Sequence, residues 1–286
     1  MNSRTLVNLF LAAFLIIAGS WLYYSKTRLP EITRLTSHDI EKITQILIHK
    51  DNGQDILLIK DSHNKTDEQW RMLKPYNIKA HQFRVNTLLS LSQTPVDNFY
   101  DISTLRLTDY SFEKPRARIT FNKTQILFGK SNPINARRYI LIENKMALLL
   151  DQTYPLISSQ ATTFIDLSVL PHSEPLLEIR LPELTLTKNK HHVWQSKTDT
   201  NIDKKNLQAI KNYWEQAQAF SVHPYLERKE LGKISIRTTK QTINFIISDD
   251  SSLLILARPD MKIEYHLDIS FKEKLLGNFT LETNNA

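Results

Sequence analysis

Nine histidines, thirty acidic residues and no cysteine are what this 286-residue chain has for chemistry. The absence of cysteine removes disulfides, thiolate metal sites and a cysteine nucleophile. His191-His192 is the most metal-like pair, but successive residues on a strand point to opposite faces and cannot easily share one ion. The pair also follows Lys188-Asn189-Lys190, which reads as a hairpin tip, so both histidines are expected in an exposed turn. HExxH and HxH spacings do not occur. Asp249-Asp250-Ser251-Ser252 could pair two carboxylates, yet it falls between two strand-like runs and is expected to be a turn. Members of a Ser/His/Asp triad need not be neighbours in sequence, but there is no GxSxG elbow to seat one. Gly19, Gly53, Gly129, Gly232 and Gly277 are too far apart for a phosphate-cradling loop or a dinucleotide fingerprint. The sequence therefore assigns no catalytic residue, no metal ligand and no cofactor, and the chain is expected not to be an enzyme.

One cluster of cations is a candidate for binding. Arg137-Arg138 precede Tyr139, with Lys145 across an expected hairpin, and together they could contact an anion. A basic pair on an exposed strand also discourages edge-to-edge aggregation, which is the alternative use. Trp70, Trp194 and Trp214 each sit on the apolar side of an expected element and are read as core.

The elements that would position these residues begin with a tether. Thr5 to Ser25 is a run without charge, preceded by Arg4 and followed by Lys26 and Arg28. At 1.5 Å per residue it would span roughly 30 Å, the thickness of a bilayer's hydrocarbon. Trp21, Tyr23 and Tyr24 at its end are suited to the headgroup region. A cleaved signal peptide is the alternative, with small residues at Ala18-Gly19-Ser20, but the bulky residues that follow and the length of the run favour an uncleaved anchor through residues 5–25. Arg4 faces Lys26, Arg28 and Arg34 across the run, so flanking charge leans towards a cytoplasmic domain, whereas a short tail before a long domain leans towards the periplasm.

Beyond the anchor, the 41% hydrophobic and 23% charged content is that of a folded chain. The net charge of +7 is spread along the sequence, with no run of like charges to mark a nucleic-acid arm. Thr36-Ser37-His38-Asp39 can cap a brief helical turn leading into Ile43. Strands are expected at Ile43–His49 and Asp55–Lys60 around Asp51-Asn52-Gly53, and at Gln69–Leu73. A helix over Ala80–Ser92 carries Val85, Leu88, Leu89 and Ser92 on one stripe. After an irregular stretch to Pro115, strands at Arg116–Phe121, Gln125–Phe128, Arg138–Ile142 and Met146–Leu150 form an antiparallel meander, followed by a short helix in Gln152–Ser159.

A linker at Leu170–Pro175 precedes a second series. It has strands at Leu177–Leu181, Leu184–Lys188 and Val193–Ser196, and a helix over Asp203–Phe220 capped by Asn201 or Asp203. Strands at Lys233–Arg237, Thr242–Ile247, Leu253–Ala257 and Ile263–Leu267 and a helix at Phe271–Leu276 complete it. Lys145–Asp151 aligns with Lys262–Asp268, Ile119–Phe121 with Ile234–Ile236, and Trp70 with Trp194. The expected architecture is α+β: an N-terminal anchor (1–28), then two similar units with mainly antiparallel sheets (29–171 and 172–286).

The residues Trp70-Arg71-Met72-Leu73-Lys74-Pro75, Phe83–Leu89, Pro115–Ile119, Leu127-Phe128-Gly129 and Arg137–Ile140 resemble the bacterial domain of unknown function 4340 family in its single-anchor form. Phe112 departs from the family, which more often has Gly there before the proline at 115. The resemblance implies a membrane-bound envelope protein and brings no catalytic residues. Some relatives resemble proteins encoded beside ABC-transporter components. Three functions follow as expectations: a non-enzymatic accessory protein with a protein partner, periplasmic and held in a bacterial inner membrane; a binding domain for an anionic lipid or glycan; and an envelope hydrolase. No nucleic-acid partner is expected.

Overall fold

The computed structural model describes residues 3–26, 33–51, 53–61, 69–198, 202–249 and 252–277. Helix α1 (Ser3–Lys26) contains the uncharged run, and Arg4–Tyr24 is long and apolar enough to cross a membrane with none of it buried in the rest of the chain. A signal sequence passes the same test of length and composition. Trp21, Tyr23 and Tyr24 are exposed at its C-terminal end.

In the first half, strands β1 (Gln45–His49), β2 (Ile56–Asp61), β3 (Gln69–Lys74) and β4 (Ile78–Lys79) precede helix α2 (Gln82–Ser92). Then come β5 (Tyr100–Asp101), the meander β6 (Ala117–Phe121), β7 (Thr124–Ser131), β8 (Arg137–Ile142) and β9 (Lys145–Leu150), and the short helix α3 (Tyr154–Ser158). The second half has β10 (Leu176–Arg180), β11 (Thr185–Lys188), β12 (Trp194–Ser196), α4 (Lys204–Gln216) and β13 (Ser221–Pro224). It continues with β14 (Gly232–Thr238), β15 (Thr242–Asp249), β16 (Leu253–Arg258), β17 (Ile263–Asp268) and α5 (Phe271–Leu276).

All pairings between these strands are antiparallel. The first sheet runs β4-β3-β2-β1-β6-β7-β8-β9-β5 and the second β12-β11-β10-β14-β15-β16-β17-β13. Apart from β4, the two orders correspond strand for strand. With helices set against antiparallel sheets, the fold is α+β. One contiguous apolar core takes in the inner faces of both sheets, Val85, Leu88 and Leu91 of α2, and Leu207, Ile210 and Trp214 of α4. Trp214 Nε1 donates to Leu275 O at 2.9 Å, so its one polar atom is satisfied inside that core.

Most strand expectations hold to within a residue or two, because inward alternation is legible: Ala117, Ile119 and Phe121 are buried and the residues between them are not. Asp39 accepts from Glu41 N at the short turn, and Asp203 from Asn206 N at α4. Asn52, Asn201, Asp250 and Ser251 lie outside the described residues.

Four features differ from expectation. Helix α4 ends at Gln216, not Phe220: Ala217 turns to extended backbone (φ −60°, ψ 120°), and the chain enters β13. Strands β4, β5 and β13 were not read from sequence, since two of them are two residues long and β13 ends in Pro224. Ahead of the expected linker, the chain is fastened to both halves, with Asp166 N bonded to Lys79 O and Val169 N to Ala217 O. Sheet register also moves one alignment by a residue. Leu141 lies opposite Met146 and Ala257 opposite Glu264, so Met146, not Ala147, occupies the place of Glu264. Because side chains alternate with period two, that slip exchanges inner for outer positions. The register does superimpose Ile119–Phe121 on Ile234–Ile236 and Trp70 on Trp194.

Candidate functional site

The outer faces of the two sheets are covered differently. On the first sheet, Leu127, Tyr139, Leu141 and Met146 form an apolar patch roofed by the β5–β6 connection through Ile102, Leu105, Leu107, Tyr110 and Phe112. Gly129 makes this roof possible, since a Cβ there would meet Tyr110 O at 2.3 Å. Phe112 fills the roof, which gives the departure from the family's usual glycine a packing role. The recess left beside it, at Gln125, Leu127 and Glu143, is about 290 Å³.

On the second sheet the equivalent β13–β14 connection is only Tyr225–Leu231. Glu264, in the place of Met146, is fully buried. Its carboxylate accepts from Leu226 N at 3.1 Å, Arg228 Nη1 at 2.5 Å and His266 Nε2 at 2.8 Å. Burial alone would raise the Glu264 pKa, but the bonds from His266, Leu226 N and Arg228 outweigh it and hold the group below the usual carboxylate range. The His223 ring, on β13, lies 4.3 Å from that of His266 and bonds Ser221 Oγ at 2.9 Å. Burial first, and the charge of His266 second, lower the His223 pKa.

On the same outer face, two strands from Glu264, a recess of about 630 Å³ opens over Ser235, Asn244 and Ile246, rimmed by Arg180, Lys233, Pro259 and Asp260. Nearby Glu178 is 5% exposed and lies between two arginines, Arg180 and Arg237 Nη2 at 3.1 Å. Burial opposes its ionisation, yet hydrogen bonds from Arg237 and Arg180 lower its pKa. A fixed carboxylate thus holds two largely exposed guanidiniums on the sheet surface, well placed for planar bidentate contacts to a partner's carboxylates.

A second, smaller cleft of about 290 Å³ lies between the halves, lined by Trp70, Lys79, Asp166, Ser168, His172 and Arg258 among others. Ser168 Oγ and His172 Nε2 are 2.9 Å apart there. Asp166 accepts from Ser168 N and pairs with Lys79 at 3.7 Å, and Glu174 is bonded to Thr238 and Gln241. No described carboxylate takes a hydrogen bond from the His172 ring.

The structure does not bring the three cations singled out from sequence together. Arg137 pairs with Asp97 at 2.6 Å. Arg138 is buried, donates to Asp151 at 2.7–2.9 Å and to Gly129 O at 2.6 Å, and lies 3.7 Å over the Tyr154 ring. Lys145 is opposite Ile142 and Arg137 opposite Leu150, which puts them about 17 Å apart along the hairpin. Lys145 approaches the Phe99 ring instead. His191 and His192 are exposed in a turn closed by Asn189 Oδ1, which accepts from His191 N and Val193 N. Trp70, Trp194 and Trp214 are core. Among the described residues no group of three His, Asp or Glu is placed to hold a metal ion.

Sequence reading missed Glu264, His266, His223, Arg228 and Glu178. The available signal was Glu264 and His266 at i and i+2 on a strand otherwise made of Ile263, Tyr265 and Leu267. That spacing places two titratable groups on one face of an apolar element.

A family model described as a domain of unknown function (DUF4340) matches residues 70–242. The chain belongs to that family. No curated protein and no solved structure matches it.

Proposed function

We propose that this chain is a membrane-anchored, non-enzymatic accessory protein of the bacterial envelope. In this reading α1 is a permanent single-pass tether in the inner membrane, and the remainder is a duplicated α+β unit on the periplasmic side. The outer face of the second sheet receives a protein partner. One observation carries the reading: with equivalent strands on both sheets, the recess over Ser235, Asn244 and Ile246 of the second is about 630 Å³ and flanked by two guanidiniums, whereas the corresponding recess at Gln125 and Leu127 of the first is about 290 Å³. The partner contact is made through Arg180, Arg237, Ser235 and Asn244, which fits a segment bearing carboxylates. A transporter component of the ABC type is the partner class that the family resemblance suggests. The matching strand orders and the superposable Trp70 and Trp194 support duplication.

Affinity purification after cross-linking in membranes tests this. The intact chain is expected to retain a discrete protein that Arg180→Glu with Arg237→Glu releases, while the variant stays folded and membrane-bound. Recovery of the same material with both chains would overturn it.

The Ser168–His172 contact favours one alternative, a hydrolytic site in the inter-half cleft. Without a carboxylate to orient His172, the hydroxyl is a weak nucleophile there. Ser168→Ala is expected to leave the protein's cellular role intact.

A further inference from the structure

The chain between anchor and domain is short enough to keep the point where it enters the domain within about 25 Å of the anchor's end. From Lys26 to Thr33 there are seven Cα steps, which span at most about 25 Å. Thr33 is already part of the domain: its carbonyl accepts from Val96 N at 2.8 Å, and Leu35 N bonds Thr94 O at 2.9 Å. From Val96 a series of short contacts leads directly to a hairpin tip. Asp97, the next residue, pairs with Arg137 at 2.6 Å. Arg137 O accepts from Asn132 N at 2.6 Å, and Asn132 Oδ1 accepts from Ile134 N at 3.0 Å.

At that tip Ile134 is 92% exposed, the most exposed large apolar side chain among the described residues, and Pro133, Asn135 and Ala136 around it are exposed as well. A lone exposed aliphatic residue is ordinary on a protein surface. This one stands on the end of the domain reached by the tether. Leu150, 62% exposed, lies across the hairpin from Arg137. Lys130 is exposed on the β7–β8 hairpin and Arg34 is exposed where the tether enters the domain, while Arg137 is paired with Asp97. An apolar point with exposed cations at the same end of the domain suits the boundary between anionic headgroups and acyl chains.

We propose that the β7–β8 hairpin is a second membrane contact: Ile134 inserts into the interface of the bilayer that α1 crosses, with Lys130, Arg34 and Arg137 over its headgroups. This rests on the reading of α1 as an anchor. Such a contact would fix the orientation of the domain above the membrane, which a single point of attachment would not, and so determine how the outer face of the second sheet is presented.

The chain has no native cysteine, so single sites can be labelled in the full-length protein. With a polarity-sensitive fluorophore on Ser20→Cys, Ile134→Cys or Lys190→Cys, the protein is reconstituted into vesicles containing anionic lipid and a lipid-borne nitroxide quencher. Quenching at 20 and 134 but not at 190 is expected. A fluorophore on Asn135→Cys should lose at least half of its quenching when Ile134→Asp is added. Quenching at 20 alone would overturn the hairpin contact and leave the anchor standing. Quenching at none of the sites would overturn the anchor and this inference with it. Equal quenching at 134 and 190, or indifference to Ile134→Asp, would remove any special role for the tip.

Discussion

At one register position the first sheet carries Met146 and the second Glu264, and the two solve the same burial problem by opposite means. Met146 is covered by a long connection that supplies Tyr110 and Phe112. Glu264 is covered by a short one that supplies a backbone N–H and a guanidinium. At the neighbouring outer positions Leu141 corresponds to Ala257, Tyr139 to Ile255 and Leu148 to His266. The strand framework is therefore indifferent to what lies on its outer side, which is set by the length and chemistry of one connection. A buried ion pair adds little stability compared with an apolar filling of the same space. On the outer faces it occurs under the second sheet, at the position where the first has Met146.

The comparison can be broken most severely by exchanging the residues. Met146→Glu places a carboxylate under an apolar roof with no donor provided, and a loss of about 4 kcal/mol or more is expected in chemical denaturation. Glu264→Ala leaves Arg228, His266 and Leu226 N without their acceptor and is expected to cost about 3 kcal/mol, whereas Glu264→Met is expected to cost less than about 1.5 kcal/mol. Comparable losses for Glu264→Met and Met146→Glu would contradict the account. Gly129→Ala drives a methyl group into Tyr110 O and should cost about 2 kcal/mol while raising proteolysis within residues 102–112.

A smaller effect is read from pH. His223 and Glu264 both have folded pKa values below their ordinary values of about 6.5 and 4.3. In each case the unfolded chain binds the proton more readily, so the contribution is present above the unfolded value and is lost as pH falls. Stability should decline from near pH 6.5 downwards through His223 and again below about 4.3 through Glu264. His223→Asn should flatten the first decline and Glu264→Met the second, as followed by the denaturation midpoint.

How much of this was legible from sequence follows from what each feature depends on. The inward faces are local and periodic, so β6 with Ala117, Ile119 and Phe121, and α4 with Leu207, Ile210 and Trp214, could be read directly. The short edge strands β5 and β13 exist only because β9 and β17 are there to pair with them, and no local pattern announces that. Arg138 shows the same limit at a site: its neighbour Arg137 and its charge suggested an anion, but Asp151, Gly129 O and Tyr154 claim it through tertiary contacts. Glu264 and His266 were visible as an i, i+2 pair, yet the burial of that face depends on Leu226 and Arg228 folding back from the preceding connection.

The central claim is that the larger, arginine-flanked recess of the second outer face is the one that receives a partner. Register supplies a matched pair of exposed positions for testing it, Asn244 opposite Ser235 and Gln125 opposite Thr120. A photo-cross-linking residue at each, in the full-length protein in native membranes, is the most direct measurement. The account predicts a discrete cross-linked protein from position 244 and none from 125. A discrete product from 125 with none from 244 would contradict it.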